Sequence, residues 1–366
     1  VLIDRLLFYS HEGLLVTSHN QRMLDLGWSP FFEEQLVRDE ALEVIPLRVS
    51  SVHRVHLNVL GETGTHTLTL SKGQSTGDFA VGDWVLADRI DGHIHRILER
   101  KSLLKRLASG SDNKRQLIAS NIDTLFIVSS CNADFRVEWF DLFLALAFDA
   151  GVEPVIVLTK TDSVENSEDW VKRAKDLSDN VSVVGLDARE KNQLKLLDKW
   201  CVQGQTAAMV GSSGVGKSTL LNGLSGLNQA TAELSKKVVQ GRHTTTARSL
   251  HQVIAGGWLV DTPGIRGLRL HEGDAGIDAL FPDVADLAEQ CHFRDCSHED
   301  DPGCAIQKAL FDELIDADRV KRWVNLRQGD KHEREPVFET TLSAREQRKI
   351  DKANKKNKEK GMPPLI

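Results

Sequence analysis

Apolar and polar positions change rhythm as the chain proceeds. From Pro46 to about Lys101 the apolar residues come in short, partly alternating runs: Val55-His56-Leu57-Asn58-Val59, Thr67-Leu68-Thr69-Leu70 and Trp84-Val85-Leu86-Ala87. Gly61, Gly64, Gly73, Gly77, Gly82 and Asp91-Gly92 punctuate them. Strand-length runs between turn formers predict about five strands and a small barrel of the OB type. Such barrels often carry nucleic acid, though one can also serve as a spacer between domains.

Beyond Asn121 the runs lengthen. Thr124 to Val128 reads as a buried parallel strand, Val137 to Ala150 as a helix and Pro154 to Leu158 as a second strand. Residues 165–178 and 191–201 read as helices, with β-rich Val181 to Val184 between them. Thr206 to Val210 is a further buried strand, and a helix follows over Ser218 to Leu227. Strands alternating with helices predict a three-layer α/β domain with a mostly parallel sheet. The expected division is a multidomain α/β chain: an N-terminal extension (1–45), a barrel (46–105), an α/β domain (106–270), a helical metal-binding domain (271–335) and a basic tail (336–366). No role is legible for the extension, which Gly27-Trp28-Ser29-Pro30 interrupts.

The α/β segment carries phosphate chemistry. Gly211-Ser212-Ser213-Gly214-Val215-Gly216-Lys217-Ser218 fits G-x4-G-K-[ST] between a strand and a helix that continues through Thr219. Glycines let backbone N–H groups turn inward around phosphate oxygens, and the helix N-terminus adds positive potential. Lysine then reaches the β- and γ-phosphates, and the serine hydroxyl ligates Mg2+. Thr159-Lys160-Thr161-Asp162 follows a strand at its carboxyl end, where ligands sit in open α/β sheets. There the Asp162 carboxylate can accept from guanine N1–H and the 2-amino group, donors that adenine lacks, so GTP and GDP are the expected ligands.

Asp261-Thr262-Pro263-Gly264 closes the strand Trp258 to Val260 as a D-x-x-G element. Asp261 is expected to hold Mg2+ through water, and the Gly264 N–H to meet the γ-phosphate. Gly241-Arg242-His243-Thr244-Thr245-Thr246 lies between this element and the phosphate loop. One of its threonines, Thr245 among them, should bind Mg2+ only when the γ-phosphate is present, making the loop a switch. Ile265 follows the D-x-x-G element and cannot position water, so His243 is the catalytic candidate; it can equally be a surface or RNA-contacting residue. The order is inverted relative to an ordinary GTP-binding domain, because the base motif precedes the phosphate loop. Permutation preserves spatial neighbours and changes only the connections.

Cysteine placement adds a second site. Cys291-x4-Cys296-x-His298-x5-Cys304 offers three thiolates and an imidazole, the donor set of a closed structural Zn2+ site, one per chain. His292 competes with His298 as the fourth ligand. Five cysteines in 366 residues suit a reducing compartment rather than a disulfide framework. Apolar runs such as Phe143 to Phe148 fall far short of the roughly 18 residues a membrane span needs, and no secretory leader is visible. A monomeric cytoplasmic protein without a membrane partner is expected. The net charge of −7 hides a local excess: Arg345 to Lys360 holds eight Lys/Arg against three acids, +5, leaving −12 elsewhere.

These motifs together resemble the RsgA (YjeQ/YloQ) family of circularly permuted GTPases that depend on the small ribosomal subunit. The resemblance covers nearly the whole chain, and R-H-T-T-T and the barrel's Val81-Gly82-Asp83-Trp84-Val85 belong to it. It implies GTP hydrolysis stimulated by the small (30S) subunit, binding late in that subunit's maturation, and rRNA contacts through the barrel and zinc domain. The family's zinc ligands fall on Cys291, Cys296, His298 and Cys304, and its switch histidine on His243. Arg54, His56, Arg89, His95, Arg96 and the tail are candidate phosphate contacts. Two positions depart from the family pattern: Thr159 stands where asparagine is usual, and Asp187-Ala188 takes the place of the last motif's Ser-Ala. Gly214 stands where potassium-activated GTPases carry asparagine, so no potassium dependence is expected. A different reading is an RNA-binding module that senses guanine nucleotide with little turnover.

Overall fold

A computed structural model describes residues 8–9, 15–16, 21–37, 43–71, 73–107, 115–132, 134–226, 248–262, 274–299 and 301–329. His243, Thr244, Thr245, Thr246, Gly264, Ile265 and the basic tail lie outside the described residues. Strands β1 (Phe8–Tyr9) and β2 (Leu15–Val16) form a short antiparallel pair ahead of helices α1 (Gln21–Asp25) and α2 (Pro30–Glu33).

The barrel strands are β3 (Val44–Val52), β4 (His56–Gly61), β5 (Gly64–Thr69), β6 (Trp84–Asp88) and β7 (Ile94–Ile97). All pair antiparallel, with β3 shared between β4 and β6. Leu47, Val49, Leu57, Val59, Val85 and Ala87 alternate with outward positions and fill the interior. The hairpin β8 (Leu103–Leu107) and β9 (Arg115–Ser120) follows, so the expected boundary at 105 falls inside a strand. This hairpin is tied to the barrel: the Ser120 N–H donates to the Val81 carbonyl at 2.9 Å, and the Ser120 hydroxyl donates to Asp83 at 2.5 Å.

The α/β sheet contains β10 (Thr124–Ser130), β11 (Glu153–Thr159), β12 (Ser182–Gly185), β13 (Thr206–Gly211), β14 (Ser249–Gln252) and β15 (Trp258–Asp261). Its order is β12-β11-β10-β13-β15, all parallel, with β14 antiparallel on β15. Every residue of β10 and β13 is buried. Such strands need cover on both faces, and the side chains divide accordingly. Leu125, Ile127, Ile156 and Val210 pack towards helix α3 (Val137–Asp149), while Phe126, Val128, Val155 and Met209 pack with Leu220 and Leu224 on the other face. Helix α4 (Ser167–Lys175) lies between β11 and β12 in the chain.

Residues 191–201 do not make the single helix expected. One α turn, α5 (Lys191–Leu194), passes into a 3-10 segment at Lys195–Trp200. Leu194, Leu197 and Trp200 are all buried, and a three-residue spacing stacks on one side of a helix with three residues per turn. Helix α6 (Lys217–Ser225) follows the phosphate loop.

Beyond the sheet lie α7 (Asp274–Leu280), α8 (Pro282–Glu289), α9 (Ala305–Phe311) and α10 (Ala317–Gly329). α9 ends at Phe311, and Glu313 just beyond it adopts a left-handed backbone (φ 55°). α10 is fastened to α3 by Arg322, whose Nε and Nη2 donate to Asp141 at 2.9 and 2.5 Å. No described helix is long and apolar enough to cross a membrane.

The N-terminal extension has a structural role that its sequence did not show. Met23, Leu26, Trp28 and Phe32 are buried, with Trp28 edge-on to Trp84 of the barrel at 4.8 Å. The Trp258 indole donates to the Asp25 carbonyl at 2.7 Å, joining the same segment to β15. Residues 21–37 thus strap the barrel to the α/β domain. Beneath the strap lies Arg48, 1% exposed, which donates to the Leu26 carbonyl (2.5 Å) and the Thr206 hydroxyl (2.7 Å) at the start of β13. Burial lowers the Arg48 pKa to about 10, which leaves it charged at neutral pH.

Candidate nucleotide site and metal centre

Strands β11 and β13 flank β10, so their carboxyl ends open on one edge of the sheet. The phosphate loop leaves β13 at Gly211 and turns through Gly214 (φ 88°) and Gly216 (φ 99°), left-handed conformations that favour glycine, before α6 begins at Lys217. Val215 is buried and anchors the loop, while Ser212, Ser213, Gly214, Gly216 and Ser218 reach the surface at least in part and Thr219 sits in the first turn of α6. The Lys217 ammonium donates to the carbonyls of Gly211 and Ser212, both at 2.6 Å, folded over its own loop.

Thr159 ends β11 and is fully buried. Its Oγ1 lies 2.5 Å from the Val215 carbonyl and 3.1 Å from the Ser129 carbonyl. The base motif therefore touches the phosphate loop directly, through the residue that replaces the usual asparagine. Lys160 then takes a left-handed conformation (φ 59°), and Thr161–Ser163 form a 3-10 turn that presents Asp162 at the surface. Asp187 and Ala188 follow β12 and are buried beside this turn.

Arg189, which sequence reasoning passed over, connects the two acids. Its backbone N–H and Nε both donate to Asp187 Oδ1 at 3.0 Å, and Nη2 donates to Asp187 Oδ2 at 2.9 Å and to Asp162 Oδ2 at 2.5 Å. The Arg189 side-chain and backbone donors hold the Asp187 carboxyl below its usual range. The only signal in the sequence was the tripeptide Asp187-Ala188-Arg189 after a predicted strand.

Asp261 ends β15, in register with Met209 of the phosphate-loop strand. Burial raises its pKa, and the nearby His251 and Lys217 charges oppose that rise. Thr262 donates its hydroxyl to the Met209 carbonyl, which holds this strand end against β13. Of the candidate site residues, His243, Thr245 and Gly264 fall outside the described residues; the others named here share the sheet edge or its loops.

The second cluster forms between α8 and α9. The ligand atoms of Cys291, Cys296, His298 and Cys304 all lie within 4.8 Å of one another, so these four can hold a metal ion. Cys291 Sγ is 3.5 Å from His298 Nδ1 and 3.9 Å from Cys304 Sγ, and Cys304 Sγ is 3.8 Å from the same nitrogen. A left-handed backbone at His298 (φ 62°) turns the ring inward, and the Trp323 ring of α10 lies edge-on at 5.3 Å. Desolvation and then the neighbouring sulfurs push the Cys296 thiol up to about 12, a cost that a bound cation removes by favouring the thiolate. His292 is not in the cluster; its ring stacks edge-on against Phe293 at 4.6 Å.

A barrel joined to a parallel sheet whose base motif precedes its phosphate loop defines a circularly permuted GTPase fold. The sequence profile of the RsgA GTPase family matches residues 97–271. The small ribosomal subunit biogenesis GTPase RsgA of Mesorhizobium japonicum is 46% identical over 321 residues, 87% of this chain and 92% of that protein. Small ribosomal subunit biogenesis GTPase RsgA 2 of Vibrio vulnificus is 37% identical over 93% of this chain and 95% of its own length. The crystal structure of YjeQ from Thermotoga maritima superposes with a TM-score of 0.59 at 26% identity, covering 80% of this chain and all of that one. The structure of YloQ, a circularly permuted GTPase, shares the fold (TM-score 0.56, 24% identity), covering 80% of this chain and 97% of its own. The chain belongs to the RsgA GTPase family.

Proposed function

We propose that this chain hydrolyses GTP with Mg2+ and acts as a switch in late maturation of the small (30S) ribosomal subunit, binding its rRNA and being stimulated by it. The observation that carries the nucleotide reading is the Thr159–Val215 contact, which joins base motif and phosphate loop at one sheet edge. Asp162 accepts from guanine, while the phosphate-loop N–H groups, Lys217 and Ser218 hold the phosphates and Mg2+. Asp261 would help to hold Mg2+, which when bound would neutralise charge on the phosphates. Thr245 and Gly264 sense the γ-phosphate, and His243 places the attacking water, because Ile265 has no group to do so.

The metal is proposed to be structural zinc, one per chain. A tetrahedral ion with Zn–S near 2.3 Å and Zn–N near 2.05 Å gives sulfur–sulfur edges of about 3.8 Å and sulfur–nitrogen edges of about 3.6 Å. The separations of 3.9, 3.5 and 3.8 Å among Cys291, His298 and Cys304 suit that size, and Cys296 lies within 4.8 Å of the other three. Barrel and zinc module are the proposed rRNA contacts, in a monomeric cytoplasmic protein. Arg54, Arg89 and His95 are exposed on the barrel. Arg96 donates to the Gln35 carbonyl at 2.6 Å and so also serves the strap.

The decisive experiment measures hydrolysis of GTP and of ATP against a titration of purified small subunits. Turnover of GTP that rises with subunit concentration is expected. Turnover without stimulation would favour the passive guanine-sensing module instead.

A further inference from the structure

Arg189 is bound to the carboxylate assigned above to guanine, and the way it is held leaves part of its fork unused. Both Nη2 protons are engaged, one by Asp187 Oδ2 and one by Asp162 Oδ2. Nε is engaged by Asp187 Oδ1. Asp187, only 8% exposed, is a fixed anchor, and its own backbone N–H donates to Gln193 Oε1 at 2.8 Å. The Nη1 group has no hydrogen-bond partner among the described residues, and the Arg189 side chain is 66% exposed. A planar guanidinium cannot turn one nitrogen away without moving the others, so this anchorage orients Nη1 as well.

The Nη2 bond to Asp162 Oδ2 places a guanidinium with an unused Nη1 donor beside that carboxylate, whose Oδ2 also accepts from the Ser163 hydroxyl at 3.3 Å. Guanine carries the complementary groups: O6 accepts, N1–H donates and the 2-amino group donates. Adenine offers a 6-amino donor and a bare N1, so donor would face donor and acceptor would face acceptor. We propose that Arg189 is a specificity-determining residue that reads guanine O6 while Asp162 reads N1 and N2. The inference rests on the assignment of Asp162 to the base. It goes beyond that assignment by giving the 6-position its own charged donor and by giving Asp187 the role of orienting it. The exposed Arg189–Asp162 pair by itself adds little to folding stability, whereas the bonds to nearly buried Asp187 add more, so each variant is melted alongside the binding measurements.

The test is equilibrium binding of GDP, 6-thio-GDP and ADP to the wild-type chain, Arg189→Ala and Arg189→Lys, with thermal melts of each. Sulfur at position 6 accepts hydrogen bonds poorly while N1–H and the 2-amino group are kept. The wild type should prefer GDP over 6-thio-GDP. Arg189→Ala should weaken GDP about tenfold, the size of one hydrogen bond to a charged donor, and weaken 6-thio-GDP far less. Arg189→Lys, which keeps the charge without the fork, should lose the same preference and stands in if the alanine variant melts early. GDP binding that is unchanged or tighter in Arg189→Ala overturns the proposal, since Arg189 would then be a bystander or a competitor for Asp162. Equal losses for GDP and 6-thio-GDP overturn it too, since the 6-position would not be read. A wild type that binds GDP and ADP alike instead removes the Asp162 assignment, and this proposal with it.

Discussion

The Thr159 hydroxyl reaches the Val215 carbonyl at 2.5 Å across 56 residues of sequence, and this contact couples recognition of the base to the phosphate loop. One hydroxyl proton serves one acceptor at a time, so Ser129 and Val215 share it. Thr159→Val keeps the shape and deletes the donor, leaving a buried carbonyl short of a partner. Such a loss costs about 1–2 kcal/mol, or roughly tenfold in affinity. We expect Thr159→Val to weaken GDP by that factor and Thr159→Asn, the residue usual in the motif, to retain it. Fluorescent GDP titration decides the matter, and wild-type affinity in the valine variant would show that the contact is incidental.

The Cys3His cluster makes a prediction about composition as well as stability. Elemental analysis should find about one zinc per chain, as expected of a single closed site. Cys296→Ser or prolonged chelation should release the metal and lower the melting temperature, because the segment between α8 and α9 gains order from the ion. His292→Ala should leave metal content unchanged, since His292 lies outside the cluster. Metal loss in that variant would return the fourth ligand to His292.

Much of this site is legible in sequence because its chemistry is local. Gly211 to Ser218 is one loop, Thr159 to Asp162 one turn, and the four metal ligands span 14 residues, so spacing alone specifies them. The parallel sheet is legible for a related reason: β10, β11 and β13 each carry an unbroken run of four apolar residues (125–128, 155–158 and 207–210), the pattern of strands covered on both faces. Arg48, Arg189 and Arg322 are not legible. Each is an ordinary arginine until the fold places it beside Thr206, Asp162 or Asp141, at separations of 158, 27 and 181 residues. The N-terminal strap escaped for the same reason, since α1 and α2 are too short for periodicity to reveal the face they bury.

The Asp141–Arg322 pair makes the docking of the metal-bearing helices onto α3 testable. Asp141 is almost fully buried and Arg322 largely so, and burial raises the Asp141 pKa despite the hydrogen bonds from Arg322. Removing one partner leaves a charge without its complement in a poorly solvated place, at a cost of about 3–5 kcal/mol. Asp141→Leu and Arg322→Met should therefore each destabilise the chain strongly, while the double variant costs less than the sum. A double-mutant cycle by urea unfolding measures the coupling, and additive losses would show that the two side chains do not act as a pair.

His251 gives a pH dependence with a defined sign. It lies on β14 with its Nε2 2.8 Å from the Ser249 hydroxyl, and burial lowers its pKa from 6.5 against the opposing pull of Asp261. The folded chain therefore resists protonation at a position where the unfolded chain accepts it. As pH falls below about 6.5 the unfolded state binds the additional proton first, so stability declines until the folded-state pKa is passed. Above about 6.5 both states carry neutral imidazole, and this group contributes no slope. Melting temperatures of the wild type should thus drop more between about pH 7.5 and about pH 5.5 than those of His251→Gln, whose amide keeps a partner for Ser249 and does not titrate. Parallel pH profiles for the two proteins would mean that the acid sensitivity arises elsewhere in the fold.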